Sequence, residues 1–391
     1  MDLSRIRQRD TKAPTETPIS SPKITPIKGS AFIHRAEVNA PMGFGCLQLS
    51  ESNLPDAARI AIIQQAYDGG AKFFDTAAIY GTNRDNEKLL GQALAGKDKS
   101  NITVATKCGI DESTFSFATS PQQIRASVEE SLRNLGVAQI DLLFLHRTDP
   151  NGSPDKFDES ITTMKQLVIE GKVKKIGLSE VSESQIRQAH ALYPRNIGIS
   201  SVESAYSIGS RRAELNGVLD ACNELGIQFV AYTPLVRGLT DRRLQKITGE
   251  EFQTLSDHEF QTRIFEIMEI PANTDSGMER RTVGFFHASH IKKNVKMVLE
   301  FQKMAAKLAC TPSQLALAWL QYRGITPIPG TANAAHLAEN LAAQSIILTD
   351  NVMQELDNLF PPGSFEGNPN STMLDQFDNP ALEEKKVSQF V

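Results

Sequence analysis

From residue 42 onward the chain alternates short apolar runs with longer stretches whose apolar residues recur at helical spacing. Eight runs stand out: MGFGCLQ (42–48), AKFFDT (71–76), ITVATKC (102–108), IDLLFLH (140–146), VKKIGLS (173–179), IGISSVE (197–203), IQFVAYT (227–233) and ITPIPG (325–330). Several are apolar throughout rather than alternating, the pattern of parallel strands covered on both faces. Through the seventh run they recur about every 25 to 35 residues, the length of a strand–helix unit. Eight such units predict an α/β fold of the (β/α)8 TIM barrel type. A doubly wound sheet is the alternative. GFGCLQ, however, has only the first two glycines of a dinucleotide fingerprint, and no matching acidic residue follows a second strand.

Two segments break the rhythm. Residues 236–290 form a long insertion after the seventh run, and "PANTDSG" within it predicts that it is partly loop. Residues 361–391 read as a C-terminal tail, and residues 1–30, rich in Pro, Ser, Thr and Lys, as a disordered N-terminal one. The barrel is then expected over 31–360. Long loops at such positions are often functional lids. TPSQLALAWL (311–320) reads as a helix with Thr311 as N-cap, Pro312 at its first position and Trp319 in the core.

Composition narrows the classes. A chain of 391 residues fits one barrel. A formal charge of −5 argues against nucleic acid as a partner. The four cysteines are scattered without a C-x-x-C pair, so neither a disulfide framework nor a zinc site is expected, and a reducing, cytoplasmic setting fits. Arg5, Arg7 and Arg9 suit a presequence, but Asp2, Asp10 and Glu16 oppose one. "HASH" (287–290) offers two histidines without a third ligand, so no metal is expected. No apolar run approaches the roughly 20 residues of a membrane span. Oligomeric state leaves no signal in the sequence.

Barrel enzymes act at the C-terminal ends of their strands. There the second, third and fourth runs place Asp75 with Tyr80 in the following loop, then Lys107, then His146. Singly, Asp75 could cap a loop, Tyr80 could pack, and Lys107 and His146 could be structural. Together on one rim they suit carbonyl reduction. Tyrosine, with a pKa of about 10, is protonated at neutral pH but a weak acid. A lysine ammonium beside it favours tyrosinate and eases proton donation. Asp75 can pair with Lys107 and hold it in place. His146 can donate a hydrogen bond to the carbonyl oxygen.

In these residues the sequence resembles the aldo-keto reductases, whose Asp, Tyr, Lys and His tetrad matches Asp75, Tyr80, Lys107 and His146 in order and context over about residues 42–345. The resemblance implies an NADP(H) cofactor across the barrel mouth and a small-molecule carbonyl substrate. It implies that Ser179 and Glu203 contact the nicotinamide carboxamide and that Tyr232 stacks on its ring. It further implies cofactor contacts from Leu235 and from Gly330, Thr331, Asn333, His336, Glu339 and Asn340 in "PIPGTANAAHLAEN". "HRTDP", "GLSEVS" and that last stretch look most like pyridoxal reductases, a group that shares Glu180. Many family members carry Asn where Glu180 stands and Gln where Glu203 stands. Val236 replaces a common Gly, and Ala332 and His336 stand where basic residues are common. Potassium-channel β subunits share the fold and tetrad, so a cofactor-binding regulatory subunit is a second reading. A pathway-specific reductase, its pocket shaped by the insertion, is a third.

Overall fold

The computed structural model describes residues 40–369, except 150, 151, 195, 273 and 274, together with the backbone of Arg7–Gln8, which pairs with Ile346–Ile347. The rest of the expected N-terminal tail, residues 31–39 of the expected barrel and residues 370–391 lie outside the described residues.

Eight parallel strands follow one another around a single sheet: β1 (Gly43–Gly45), β2 (Phe73–Asp75), β3 (Thr103–Cys108), β4 (Ile140–Leu145), β5 (Val173–Ser179), β6 (Ser201–Ala205), β7 (Gln228–Tyr232) and β8 (Thr326–Pro327). Between them lie α1 (Asp56–Asp68), α2 (Asp85–Ala93), α3 (Pro121–Leu135), α4 (Pro154–Ile169), α5 (Glu183–Ala191) and α6 (Val218–Leu225). The (β/α)8 expectation is met. The period of two in each strand divides its side chains. Phe73, Leu142, Phe144, Val230 and Ile328 fill the barrel interior, whereas Phe74, Leu143 and Phe229 face the helices.

The first and last strands close the ring over two glycines. Gly45 N–H donates to Pro329 O at 3.3 Å. A Cβ at Gly45 would lie 2.8 Å from Ile328 O, and one at Gly330 would lie 2.7 Å from Gly45 O. Only glycine permits that approach. Strand β8 is shorter than its run because Pro327 and Pro329 lack the N–H that a longer ladder needs. The first run likewise ends at Gly45 and turns into a short helix, Leu47–Ser50.

The insertion is partly loop, as expected at Pro271 and Ala272, but most of it is helical. It holds α7 (Gly249–Thr254), α8 (Asp257–Ile267) and α9 (Asp275–Thr282). Its starts were written in the sequence as Thr248…Glu251 and Ser256…Glu259, two capping boxes. Phe260, Ile264, Phe285 and Phe286 are buried beneath it. Then come α10 (Ala288–Lys307), α11 (Pro312–Tyr322, capped by Thr311 as expected), α12 (Ala334–Ala342) and α13 (Asp350–Leu359). The first part of the expected C-terminal tail is a packed strap. Asn294 Nδ2 donates to Glu366 O (2.8 Å) and its Oδ1 accepts from Glu366 N (2.9 Å), while Arg237 Nε donates to Pro369 O (3.1 Å). Among the described residues no helix is long and apolar enough to cross a membrane.

Trp319 is fully buried, stacked on Tyr206 with centroids 5.6 Å apart. The guanidinium groups of Arg323 and Arg211 lie 4.3 and 5.3 Å from its ring. Asp357 accepts from both arginines, at 2.5 and 2.9 Å. Removing one partner from a buried network strands the other charge. Glu214 also chelates Arg211, at 2.6 and 2.8 Å, and lies 3.7 Å from Arg323, so we expect Asp357→Ala to lower stability by about 1–3 kcal/mol in urea denaturation. A loss below about 1 kcal/mol, the range of exposed pairs, would show that the arginines find other partners.

Candidate active site

The strand ends converge as the sequence suggested. Asp75 closes β2, Lys107 sits one residue before the end of β3, and His146 follows β4, its N–H held by Cys108 O at 2.8 Å. The loop after β2 brings Tyr80 back over the mouth. Thr76 Oγ1 donates to Asn86 Oδ1 (2.7 Å), and Asn86 Nδ2 ties the same loop to Cys46 O (2.9 Å).

Lys107 Nζ is the hub. It donates to Asp75 Oδ1 and Oδ2 at 2.5 and 2.6 Å and to Thr76 O at 3.1 Å, and it lies 3.5 Å from both Tyr80 Oη and Glu203 Oε1. Tyr80 and His146 meet edge to face, centroids 6.0 Å apart. Burial alone would depress the Lys107 ammonium; Asp75, Glu203 and Tyr80 outweigh it and hold the group above the ordinary lysine range. Burial pushes the Asp75 carboxyl up, with Lys107 pulling against it. Burial, Lys107 and Arg147 together hold His146 well below the ordinary imidazole range, so the ring is neutral. For Tyr80 the outcome differs from expectation. Lys107 does draw its pKa down, but burial, Asp75 and Glu203 leave it above the ordinary phenol value. In the protein alone Tyr80 therefore holds its proton firmly.

The residues expected to meet the carboxamide form a second group. Ser179 ends β5 in register with Glu203 on β6. Arg147, which the sequence reading overlooked, donates to Ser179 Oγ (3.0 Å) and His146 O (2.9 Å) while buried. A basic residue directly after a strand-end histidine was the available signal. Glu180 accepts from Ser204 Oγ (2.8 Å) and Ala205 N–H (2.7 Å) and hydrogen-bonds Tyr232, fixing that ring at the end of β7. Glu203 is less well supplied. Its carboxyl hydrogen-bonds Asp75, and Oε2 is buried without a partner. With Asp75 and Glu180 it makes three acids against two cations, Lys107 and Arg147. A proton on Glu203 balances them, and burial and Asp75 push it up to about 8.

The remaining expected residues lie further round the rim. Leu235 is half-buried in the loop after β7, where Thr233, Val236 and Arg237 all take left-handed backbone (φ 52°, 53° and 55°). The valine adopts the conformation a glycine would take without strain. Beyond β8, Gly330 and buried Thr331 lead to Asn333, which caps α12 by accepting from the N–H groups of Ala335 (2.8 Å) and His336 (3.2 Å). His336 is exposed and Asn340 buried. Glu339 accepts from Thr311 Oγ1 at 2.7 Å, which turns its carboxylate toward the preceding helix. Among the described residues no group of three His, Cys, Asp or Glu could hold a metal ion.

The aldo/keto reductase family model matches residues 41–360. The chain belongs to the aldo/keto reductase family. This reductase is 34% identical over 344 residues to a probable aldo-keto reductase 1 of Glycine max, spanning 86% of its own length and 90% of that protein's. Among solved structures it resembles an aldo-keto reductase from Klebsiella pneumoniae in complex with NADPH. That likeness has TM-score 0.60 and 23% identity over 86% of this chain and 95% of that one. It also resembles a glycerol dehydrogenase from Gluconobacter oxydans, with TM-score 0.66 and 22% identity over 86% and 98% of the two chains. These likenesses bear out the fold.

The Glu203 carboxyl carries a measurable consequence. An unfolded glutamate loses its proton near about pH 4.3; in the reductase Glu203 keeps it to about 8. Between those values the native state binds the extra proton, so stability falls as pH rises. We expect urea denaturation at pH 5, 6.5 and 8 to show this decline in the wild type and a shallower one in Glu203→Gln. Parallel curves would mean that Glu203 is ionised throughout.

Proposed function

We propose that this protein reduces an aldehyde or ketone to an alcohol with NADPH, with Tyr80, Asp75, Lys107 and His146 as the catalytic group. The observation that carries the reading is the 3.5 Å approach of Lys107 Nζ to Tyr80 Oη beside a neutral His146. The residues present suit a nicotinamide dinucleotide. Glu203 Oε2, buried and without a partner, matches the amide donors of a carboxamide. Tyr232 offers a braced ring, and α12 a capped N-terminus after β8.

A bound reduced nicotinamide supplies the hydride. The chain's own residues handle the proton. His146 Nε2, as a neutral donor, orients the carbonyl oxygen toward Tyr80. Tyr80 Oη gives its proton to that oxygen as negative charge develops there, and Lys107 stabilises the tyrosinate left behind. Asp75 keeps the ammonium aimed and charged. The raised resting affinity of Tyr80 for its proton is consistent with a donor that releases it only to a stronger base.

Within that chemistry we infer a pyridoxal reductase-like substrate range, on the strength of "HRTDP" and "GLSEVS". Screening pyridoxal beside aromatic and aliphatic aldehydes tests it; a rate for pyridoxal far below the others would remove it. The same assay, loss of reduced-cofactor absorbance on adding aldehyde, excludes the regulatory-subunit reading if turnover is seen.

Tyr80→Phe should lower kcat about 10²- to 10⁴-fold, the range of general acid catalysis, with dinucleotide affinity nearly unchanged. Retention of more than about a tenth of wild-type kcat, with hydride transfer rate-limiting, would remove Tyr80 from the acid's role.

Cofactor choice gives a second test. Ala332 and exposed His336 occupy positions where basic residues are common, and Asn333's oxygen is already engaged in capping. A hydrogen bond to a charged group contributes about 1.5–3 kcal/mol, and each lost bond reduces a preference roughly 10- to 100-fold. We expect NADPH to be favoured over NADH by less than about 10³ in kcat/KM at pH 8 and fixed ionic strength. A larger ratio would mean that a strong cation elsewhere reads the 2′-phosphate.

A further inference from the structure

The segment that follows Tyr80 is held by a side chain of its own. Asn83 and Arg84 both take left-handed backbone (φ 52° and 56°). Asparagine often does so, but an arginine adopts that conformation at a cost. Such strain persists where the surroundings over-determine it, and it gathers at functional sites. Here the surroundings are the partners of Arg84, whose side chain is buried. Its Nε donates to Glu112 Oε2 at 2.6 Å and lies 3.6 Å from Glu130 Oε2. Its Nη1 donates to Ser127 O at 3.0 Å and to Ser131 Oγ at 3.4 Å. Ser127, Glu130 and Ser131 lie on α3. Glu112 lies in the loop after β3, which Asp111 folds into a compact turn by accepting from the N–H groups of Ser113 (3.0 Å) and Thr114 (2.9 Å).

These partners set Arg84 between two members of the tetrad. The loop it belongs to leaves β2 and carries Tyr80. The loop it grips leaves β3 just beyond Lys107, and its charge reaches the thiol of Cys108, the residue after that lysine. Arg84 therefore joins, from behind the mouth, the two elements whose separation sets the gap between phenol and ammonium. The phenol itself has slight support: the 3.5 Å approach of Lys107 Nζ and the edge of the His146 ring. Thr76 and Asn86 tie the base of its loop. Arg84 ties the returning arm.

We propose that Arg84 is a positioning residue: by pairing with Glu112 it fixes the loop after β2 against the loop after β3, and so sets the distance from the Tyr80 hydroxyl to the Lys107 ammonium. This rests on the reading of Tyr80 as proton donor. Arg84 acts through Tyr80 and needs no contact with substrate or dinucleotide, its donors being engaged by α3 and Glu112. A phenol that drifts from Lys107 loses a cation that draws its pKa down, while burial, Asp75 and Glu203 still push it up. His146 and Arg147 complete the polar groups around it. Misplacing a reacting group by about 1 Å costs up to about 100-fold in rate.

Steady-state kinetics of the full-length protein test the proposal, in aldehyde reduction and in the reverse, alcohol oxidation. In oxidation Tyr80 must be ionised, so the rate rises with pH through its pKa. Arg84→Gln should lower kcat about 10- to 100-fold, with KM for aldehyde and the NADPH dissociation constant within about 2-fold of wild type. The rise of oxidation with pH should move upward by about one unit. Arg84→Lys, which keeps the charge, should recover part of the loss. Glu112→Gln combined with Glu130→Gln, both carboxylates being partly exposed, removes the tie from the partner side. It should reproduce the loss, and it carries the test should Arg84→Gln not fold. A kcat within about 2-fold of wild type would overturn the proposal. So would a parallel fall in kcat and NADPH affinity with the pH profile unmoved, the mark of a merely structural bond. Absence of turnover by the wild type with any aldehyde would instead defeat the reading of the tetrad itself.

Discussion

The site depends on one desolvated ion pair, Lys107 with Asp75, set at the floor of the barrel mouth. Burying two charges is costly, and such a pair is seldom retained for stability alone. Here every proton of the ammonium is directed. Two oxygens of Asp75 and Thr76 O accept from it at short range, and Tyr80 Oη shares in its protons at 3.5 Å. Once that charge is fixed, its neighbours follow. His146 is held neutral by burial first, and by the cations Lys107 and Arg147 beside it. Glu203 is pushed toward its protonated form by burial first, and then by the charge of Asp75.

The two glutamates show how surroundings divide like residues. Glu180 lies among donors: a serine hydroxyl, a backbone N–H and the phenol of Tyr232. Glu203 faces a carboxylate and a distant ammonium, with one oxygen unmatched. The first braces an aromatic ring. The second is bonded to Asp75 through one oxygen only. Arg147, wedged between His146 and Ser179, supplies the counter-charge that lets both acids sit in so small a space.

The barrel was legible because parallel strands buried on both faces leave apolar runs, and eight of them recur at the length of a strand–helix unit. The tetrad was legible because barrel topology turns strand ends into neighbours without knowledge of any side-chain rotamer. Strand ends were less so. Whether a run continues as ladder depends on donors, and Pro327 and Pro329 cut the eighth short. The insertion is loop at Pro271 and Ala272, as "PANTDSG" suggested, but its helices went unread although capping boxes at Thr248 and Ser256 announce two of them. Arg147 left only a faint signal, because its meaning lies in the charges that surround it, and those come from Glu180 and Glu203 at the ends of other strands.

The strap formed by residues 361–369 has a consequence for timing. Asn294, near the start of α10, exchanges two hydrogen bonds with Glu366, and Arg237 holds Pro369 O. Phe365 packs on Phe285, centroids 6.2 Å apart. The cover over one side of the mouth is thus latched from two directions, by the chain that precedes α10 and by the chain that follows α13. It cannot lift hinge-fashion on one end while the other stays put. Opening must release both latches together, as one cooperative unit. The strap and the start of α10 therefore share one local opening equilibrium rather than two independent ones.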